Sequence, residues 1–334
     1  MRSNPAASVS AQRLLIAADV GGTHARIALV GADADGRVEI LRHEKYACAS
    51  FPGLADIFET FRRAVGAEAV DSIAVACAGF VVEGEIVNEN LPWLVSIPEL
   101  CRRLRTTRLA VVNDFKALAH ALSRSGEEGT VLLAGAAMDD TLPTLAIGPG
   151  TGLGSAVCIP DRGRTVVLAT EAGHALLTPG NDLEIELLRV FRSAEPYVKT
   201  EHPLSGPGLL NLHRALAQLR GAQATFDTPA AITDAAKRGD ASALEAVHVF
   251  CGWLGSVVGD LVLTYGAFGG VRLAGGVLPQ IGTLLAESDF GARFLDKGPM
   301  RPALERVPVR LIEHGQLGIA GAAIWYLENE SDNG

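Results

Sequence analysis

The chain has 334 residues, 48% of them hydrophobic and 20% charged, which gives it room for two ordinary cores and too apolar a composition for a disordered chain. Its net charge of −9 argues against the clustered positive field that nucleic acid or an anionic membrane surface requires, so a small molecule is the partner that fits. The five cysteines, Cys48, Cys77, Cys101, Cys158 and Cys251, form no CxxC or CxC pair. Reduced, mostly buried thiols are expected, and a structural zinc site is not.

Residues 1–13 are polar and lack the apolar core of a signal peptide, and they read as a flexible leader on a cytoplasmic protein. Residues 14–18 and 25–30 are short apolar runs, expected as strands, joined by Asp19-Val20-Gly21-Gly22-Thr23. The two glycines let a phosphate approach backbone N–H groups, Thr23 adds a hydroxyl, and Asp19 can hold magnesium directly or through water. An ordinary hairpin turn explains the same residues, so the motif gains weight only from its partners.

Asp35-Gly36 marks a tight turn into a third strand over 37–46, which makes an antiparallel meander. A helix is expected over 54–65, strands over 71–76 and 108–112, and a helix over 115–122. Asp114 stands at the strand-to-helix junction where open α/β sheets bind ligands, and it reads either as the helix cap or as a catalytic carboxylate.

The Gly-, Ser- and acid-containing stretch 123–140 reads as a connection between domains. Beyond it, apolar runs over 144–147 and 155–159 flank Gly148-Pro149-Gly150-Thr151-Gly152-Leu153-Gly154, a second strand, glycine turn, strand unit. These glycines do not make GxGxxG, and no Gly-Lys pair completes a Walker A loop. Phosphate is therefore expected to be held by glycine backbone and threonine hydroxyls from the two hairpins.

Thr170-Glu171-Ala172-Gly173-His174 follows a strand over 166–169. Helices are expected over 183–191, 207–219, 229–237 and 243–263, the last interrupted by Glu245, His248 and Asp260 and so read as a buried helix of a soluble domain. A strand over 270–274 runs into Gly275-Gly276 before a helix near Leu278, and a strand over 309–312 precedes a last helix over 317–327.

Taken as an ordered set, DVGGT, NDF at 113–115, GPGTGLG, TEAGH, LSGPG at 204–208 and AGG at 274–276 resemble the ATP-dependent bacterial glucokinases of the hexokinase, heat-shock-protein and actin superfamily. The resemblance implies an α/β, two-domain actin-like ATPase fold of ribonuclease-H-like sheets with a cleft, residues 14–124 with 314–330 forming a small domain and 125–313 a large one. It implies ATP and Mg2+ as cofactors, glucose as acceptor, and a cytoplasmic homodimer that binds neither nucleic acid nor membrane. Carried over by motif, Ala18, Asp19, Val20, Gly21, Gly22 and Thr23 form the first phosphate loop, with Asp19 toward magnesium. Gly150, Thr151 and Gly152 form the second, and Gly275 and Gly276 contact the nucleoside. Asn113, Asp114, Glu171, His174 and Glu201 bind the sugar, with Asp114 as catalytic base. His24, Lys116 and Ala172 depart from the family pattern, and Ala172 would strain the turn that aims Glu171 if that position needed positive φ. A kinase for another hexose or N-acetylhexosamine, and a non-catalytic sugar sensor, are the alternatives. The absent cysteine-rich zinc motif speaks against the first and the short leader against the second.

Overall fold

The computed structural model describes residues 13–87, 91–124, 129–162, 164–312 and 316–330. The expected leader, Arg13 apart, lies outside them. The described residues form two compact units, one running through Arg124 and resumed at Gln316, the other lying between these points in sequence.

In the first unit β1 (Arg13–Val20), β2 (His24–Ala32) and β3 (Val38–Ala47) form the antiparallel meander, turning between β2 and β3 at Gly36, whose φ is 73°. After α1 (Leu54–Val65), β4 (Ser72–Cys77) joins β1 in parallel. A small three-stranded sheet follows, β5 (Phe80–Val82), β6 (Glu85–Val87) and β7 (Val95–Ser96), then α2 (Ile97–Leu104) and β8 (Arg108–Asn113). With β8 parallel to β4, the main sheet has the order β3-β2-β1-β4-β8, and α3 (Asp114–Arg124) leaves its end.

Alternation along β1 sorts its side chains. Ile16, Ala18 and Val20 join Phe58 and Phe61 of α1 and Leu100 and Leu104 of α2, while Leu15 and Ala17 on the other face meet Ile319, Ala322 and Tyr326 of a distant helix that returns to this unit. Arg103 ties α1 to α2, donating to Asp56 at 2.8 and 3.0 Å and to Glu59 at 3.0 and 3.2 Å. Hydrogen bonding to this guanidinium holds the Asp56 carboxyl below its usual range. Because the folded pKa is depressed, this pair stabilises the fold above the unfolded value of about 4 and stops doing so as pH falls through the folded one. Arg103→Met is thus expected to cost about 1 kcal/mol at pH 7. Urea unfolding followed at pH 7 and near pH 3 should show the difference shrinking in acid, and a pH-independent difference would remove Asp56 from the account.

In the second unit the sheet order is β12-β11-β10-β13-β14-β9. Its strands are β9 (Thr130–Ala134), β10 (Thr144–Pro149), β11 (Leu153–Asp161), β12 (Arg164–Thr170), β13 (Gly270–Leu273) and β14 (Val309–Ile312). The stretch 123–140 is therefore not simply a connection: it contains β9, which pairs antiparallel with β14. The helices are α4 (Asp182–Ala194), α5 (Gly206–Leu219), α6 (Pro229–Lys237), α7 (Ala241–Tyr265), α8 (Gly282–Glu287), α9 (Phe290–Leu295) and α10 (Arg301–Leu304). The helix expected near Leu278 begins as a 3₁₀ turn, Leu278–Ile281, before α8.

By length and composition α7 can cross a membrane, yet Phe250, Trp253, Leu254 and Val258 are wholly buried in the core of this unit. Gly255 and Gly259 let α9 approach closely, since a Cβ would stand 2.2 Å from the Phe290 carbonyl oxygen and 2.7 Å from that of Phe294. After β14 the chain returns to the first unit as α11 (Leu317–Glu330). None of the five cysteines is in a disulfide, and burial pushes the Cys158 thiol up to about 11 and Cys251 to about 12, so both are inert at neutral pH.

Candidate active site

Three parallel strands of the first unit end level with one another. Val20 of β1 stands beside Cys77 of β4, which stands beside Asn113 of β8. At about 4.8 Å per strand, the DVGGT turn and the Asn113-Asp114 junction lie about 10 Å apart on one sheet edge. The first turn of α11 meets the same edge, for a Cβ on Gly318 would come within 2.9 Å of the Asp19 carboxyl carbon. A helix N-terminus there adds partial positive charge, which suits an anion.

The turn itself is partly spent on its own structure. Gly21 N–H donates to the His24 carbonyl at 3.0 Å, while the Cys48 N–H donates to the Thr23 carbonyl at 2.9 Å and the Cys48 thiol to the Gly21 carbonyl at 3.4 Å. Of the glycine amides expected to cradle phosphate, Gly21 is thus committed. Gly22 and Thr23 carry the remaining donors, with the Thr23 side chain exposed. His24 is half-buried, and partial desolvation with nearby Lys45 and Arg26 lowers its pKa.

The helix cap falls to Asn113, not to Asp114. The Asn113 Oδ1 accepts the amides of Phe115 and Lys116, both at 3.0 Å, so the group it can still offer a ligand is its amide N–H pair. Asp114, half-buried, is the first helical residue and accepts the Phe115 amide at 2.8 Å. This changes the sequence reading, in which Asp114 was the candidate cap.

In the second unit the glycine loop joins β10 to β11 beside the end of β13. Gly148 and Gly275 are packing glycines: added Cβ atoms would lie 2.0 Å from the Ala274 carbonyl oxygen and 2.4 Å from that of Pro149. Gly275 also holds a φ of 105°. Gly150 and Gly276 face open space, with nothing within 4 Å of such a Cβ, and they are where a ligand can come close. Gly150 N–H is committed to the Gly152 carbonyl at 2.8 Å, which leaves Thr151 and Gly152 as the donors of this turn.

TEAGH leaves β12 as a 3₁₀ turn, Ala172–His174, with Glu171 exposed ahead of it. Ala172 is buried and is absent from the positive-φ residues, so the expected strain does not arise. The residue that must be glycine is the next one. A Cβ on Gly173 would lie 2.4 Å from the Leu153 carbonyl oxygen and 3.3 Å from Glu201 Oε2. The turn brings His174 to Glu201, Nε2 to Oε1 being 3.9 Å, and Leu153 N–H donates to Glu201 Oε2 at 3.0 Å. Gly173→Ala is expected to displace this turn and lower kcat/KM about 10²-fold. Steady-state kinetics read this directly, and unchanged kinetics would mean that the turn does not aim these groups. Lys199, 2.5 Å from Glu201 Oε1, was not anticipated.

A family model described as glucokinase matches residues 16–329. The chain belongs to the glucokinase family. A glucokinase-like protein of Xylella fastidiosa (strain 9a5c) is 46% identical over 321 residues, 95% of each chain. The glucokinase of Stenotrophomonas maltophilia (strain R551-3) is 37% identical over 330 residues, 97% of this chain and 98% of its own. Among solved structures, a glucokinase from an Antarctic psychrotroph superposes with a TM-score of 0.83 at 33% identity, covering 95% of this chain and 99% of that one. The fold is thus the actin-like ATPase fold of the sugar kinases.

For a glucokinase that uses ATP, a magnesium ion needs hard oxygen ligands. Asp19 suits it: a carboxylate with 28% of its side chain exposed, beside the turn and 3.3 Å from Arg26. Among the described residues no group of three or more His, Cys, Asp or Glu side chains can hold an ion unaided. One carboxylate completed by phosphate oxygens is the usual setting of magnesium at such sites.

Proposed function

We propose that this glucokinase-family chain transfers the γ-phosphate of ATP to the 6-hydroxyl of glucose, giving glucose 6-phosphate and ADP, with Asp114 as general base. The observation that carries the reading is the division of labour at the start of α3. Asn113 caps the helix, and Asp114, the first residue of α3, is a half-buried carboxylate at a strand end that accepts the Phe115 amide at 2.8 Å.

A sugar hydroxyl is a poor nucleophile. Asp114 accepts its proton as the bond from O6 to phosphorus forms and the bond to the bridging oxygen breaks, with ADP leaving, so no covalent enzyme intermediate is needed. The Asn113 amide donates to a sugar oxygen. Glu171 and Glu201 accept from hydroxyls, and His174 donates or accepts. A buried acceptor left without its hydroxyl is costly, which is how such a set rejects analogues.

Of the two loops, Ala18 to Thr23 and Gly150 to Gly152, the amides of Gly22, Thr23, Thr151 and Gly152 and the two threonine hydroxyls hold phosphates, and the Gly275-Gly276 turn admits the nucleoside over Gly276. Asp19 would hold magnesium, which when bound neutralises phosphate charge. The resemblance also supports a cytoplasmic homodimer, and sedimentation of the purified protein tests the dimer.

The deciding experiment is ADP release with MgATP and glucose, mannose, fructose, N-acetylglucosamine or no sugar, with the phosphorylated product identified. Release that depends on glucose supports the reading. A preference for another hexose replaces the acceptor and keeps the chemistry, whereas binding without release makes the protein a sensor.

A further inference from the structure

Glu201 is held on both sides within its own unit. The segment 198–201 runs antiparallel to 173–177, with Leu177 N–H donating to the Val198 carbonyl, Thr200 to Ala175 and Glu201 to Gly173, at 2.8 to 2.9 Å. The Lys199 carbonyl accepts the His202 amide at 3.0 Å, so the chain turns directly after Lys199; Thr200 at the turn is 4% exposed, and the Lys199 and Glu201 side chains meet. The Glu201 side chain is 17% exposed, and its Oε2 accepts the Leu153 amide at 3.0 Å. Its Oε1 lies 2.5 Å from the Lys199 ammonium and 3.9 Å from His174 Nε2.

Among the described residues, no Lys, Arg or His other than Lys199 and His174 lies within 4.0 Å of this carboxylate. The glycine turn from Gly150 to Gly152 and the Gly206-Pro207-Gly208 start of α5 carry no titratable side chain. His202, next in sequence, turns instead to Glu195 at 3.6 Å and to the ring of Phe191. The floor beneath Oε2 is made of glycine, since added Cβ atoms on Gly152 and Gly173 would lie 2.4 and 3.3 Å from it. Glycine leaves the carboxylate room to rotate about its bond from the Leu153 N–H, which holds Oε2 alone. The ammonium supplies the second restraint, on Oε1.

We propose that Lys199 is a positioning residue for sugar recognition: its ammonium pins Oε1 of Glu201 and so presents that carboxylate to a sugar hydroxyl in one orientation. The proposal rests on Glu201 being a sugar contact. Lys199 acts through Glu201 and has no part in proton transfer. Its charge also offsets the carboxylate in a largely dry setting, where an unpaired carboxylate would be costly.

The test is a double-mutant cycle read by glucose calorimetry without nucleotide and by KM and kcat with MgATP. Lys199→Met is expected to weaken glucose binding and raise KM about tenfold, the size of one lost charge-assisted hydrogen bond, with a smaller effect on kcat. Lys199→Arg recovers most of the loss. Adding Lys199→Met to Glu201→Gln brings no further loss, because the residue through which lysine acts is already altered. Effects that multiply in the double variant, or a Lys199→Met protein with wild-type affinity, overturn the proposal. A wild-type protein that binds glucose without releasing ADP overturns the kinase reading alone and leaves the binding cycle to decide the role of Lys199.

Discussion

Asp114→Asn is expected to lower kcat by about 10²- to 10⁴-fold while leaving glucose affinity within a few-fold of wild type. The exchange is close to isosteric, and an asparagine Oδ1 can still accept the Phe115 amide that Asp114 accepts at 2.8 Å. The helix does not depend on it, because Asn113 accepts the amides of Phe115 and Lys116. What the variant loses is a group able to take the hydroxyl proton. Stopped-time assays of glucose 6-phosphate formation, with calorimetry for sugar binding, separate chemistry from affinity. Near-normal turnover in a variant that still binds glucose would assign the proton to another acceptor.

The second large effect is structural. Gly321 in α11 is expected not to tolerate even alanine, for its Cβ would stand 1.8 Å from the Ala117 carbonyl oxygen and 2.4 Å from the carbon of that carbonyl. Both are backbone atoms of α3, so no side chain can move aside and the two helices must part. Overpacking of this kind costs about 1–3 kcal/mol and sometimes more, against a gain of only about 1 kcal/mol from replacing a helical glycine. At the upper end this is a drop in Tm of roughly 6 °C or more. Gly291→Ala in α9, where nothing lies within 4 Å of the new Cβ, is the matched control and should leave the Tm unchanged or slightly higher. Equal melting curves for the two variants would show that α11 and α3 can separate at little cost. Because Asp114 begins α3, Gly321→Ala should also reduce kcat at temperatures where the protein remains folded.

The elements that were legible in the sequence are those whose side chains do one job. β1 to β3 and β10 to β12 announce themselves by short apolar runs around Gly-Gly and Gly-Pro-Gly turns, and α7 by its apolar length. β9 was passed over although Val131 to Ala134 is a short apolar run between Gly129 and Gly135, because the Gly, Ser and acidic residues on either side read as a connection; as an edge strand it leaves Val131 and Leu132 47% and 45% exposed. For α2 the signal was present. Ser96 and Glu99 stand three apart with Pro98 between them, and Ser96 Oγ caps the Glu99 amide. At the site, motifs located the glycines but not their work. Only coordinates separate Gly148, Gly173 and Gly275, which fit against backbone, from Gly150 and Gly276, which face open space. Lys199 was hidden because its partnership with Glu201 depends on a turn, closed by the His202 amide on the Lys199 carbonyl and held by the bonds of 198–201 to 173–177.

The capping carboxamide of Asn113 has a consequence for anyone engineering this protein. Aspartate is as good a residue at a helix start as asparagine and adds favourable charge at the positive end of the helix, so a stability-guided redesign would accept it without penalty. The exchange would keep the oxygen that accepts the Phe115 and Lys116 amides and erase the N–H pair, setting a second anion next to Asp114. A thermal screen would pass such a variant as sound while the step it was meant to preserve had been lost, so position 113 belongs on the list of residues that stability optimisation leaves untouched.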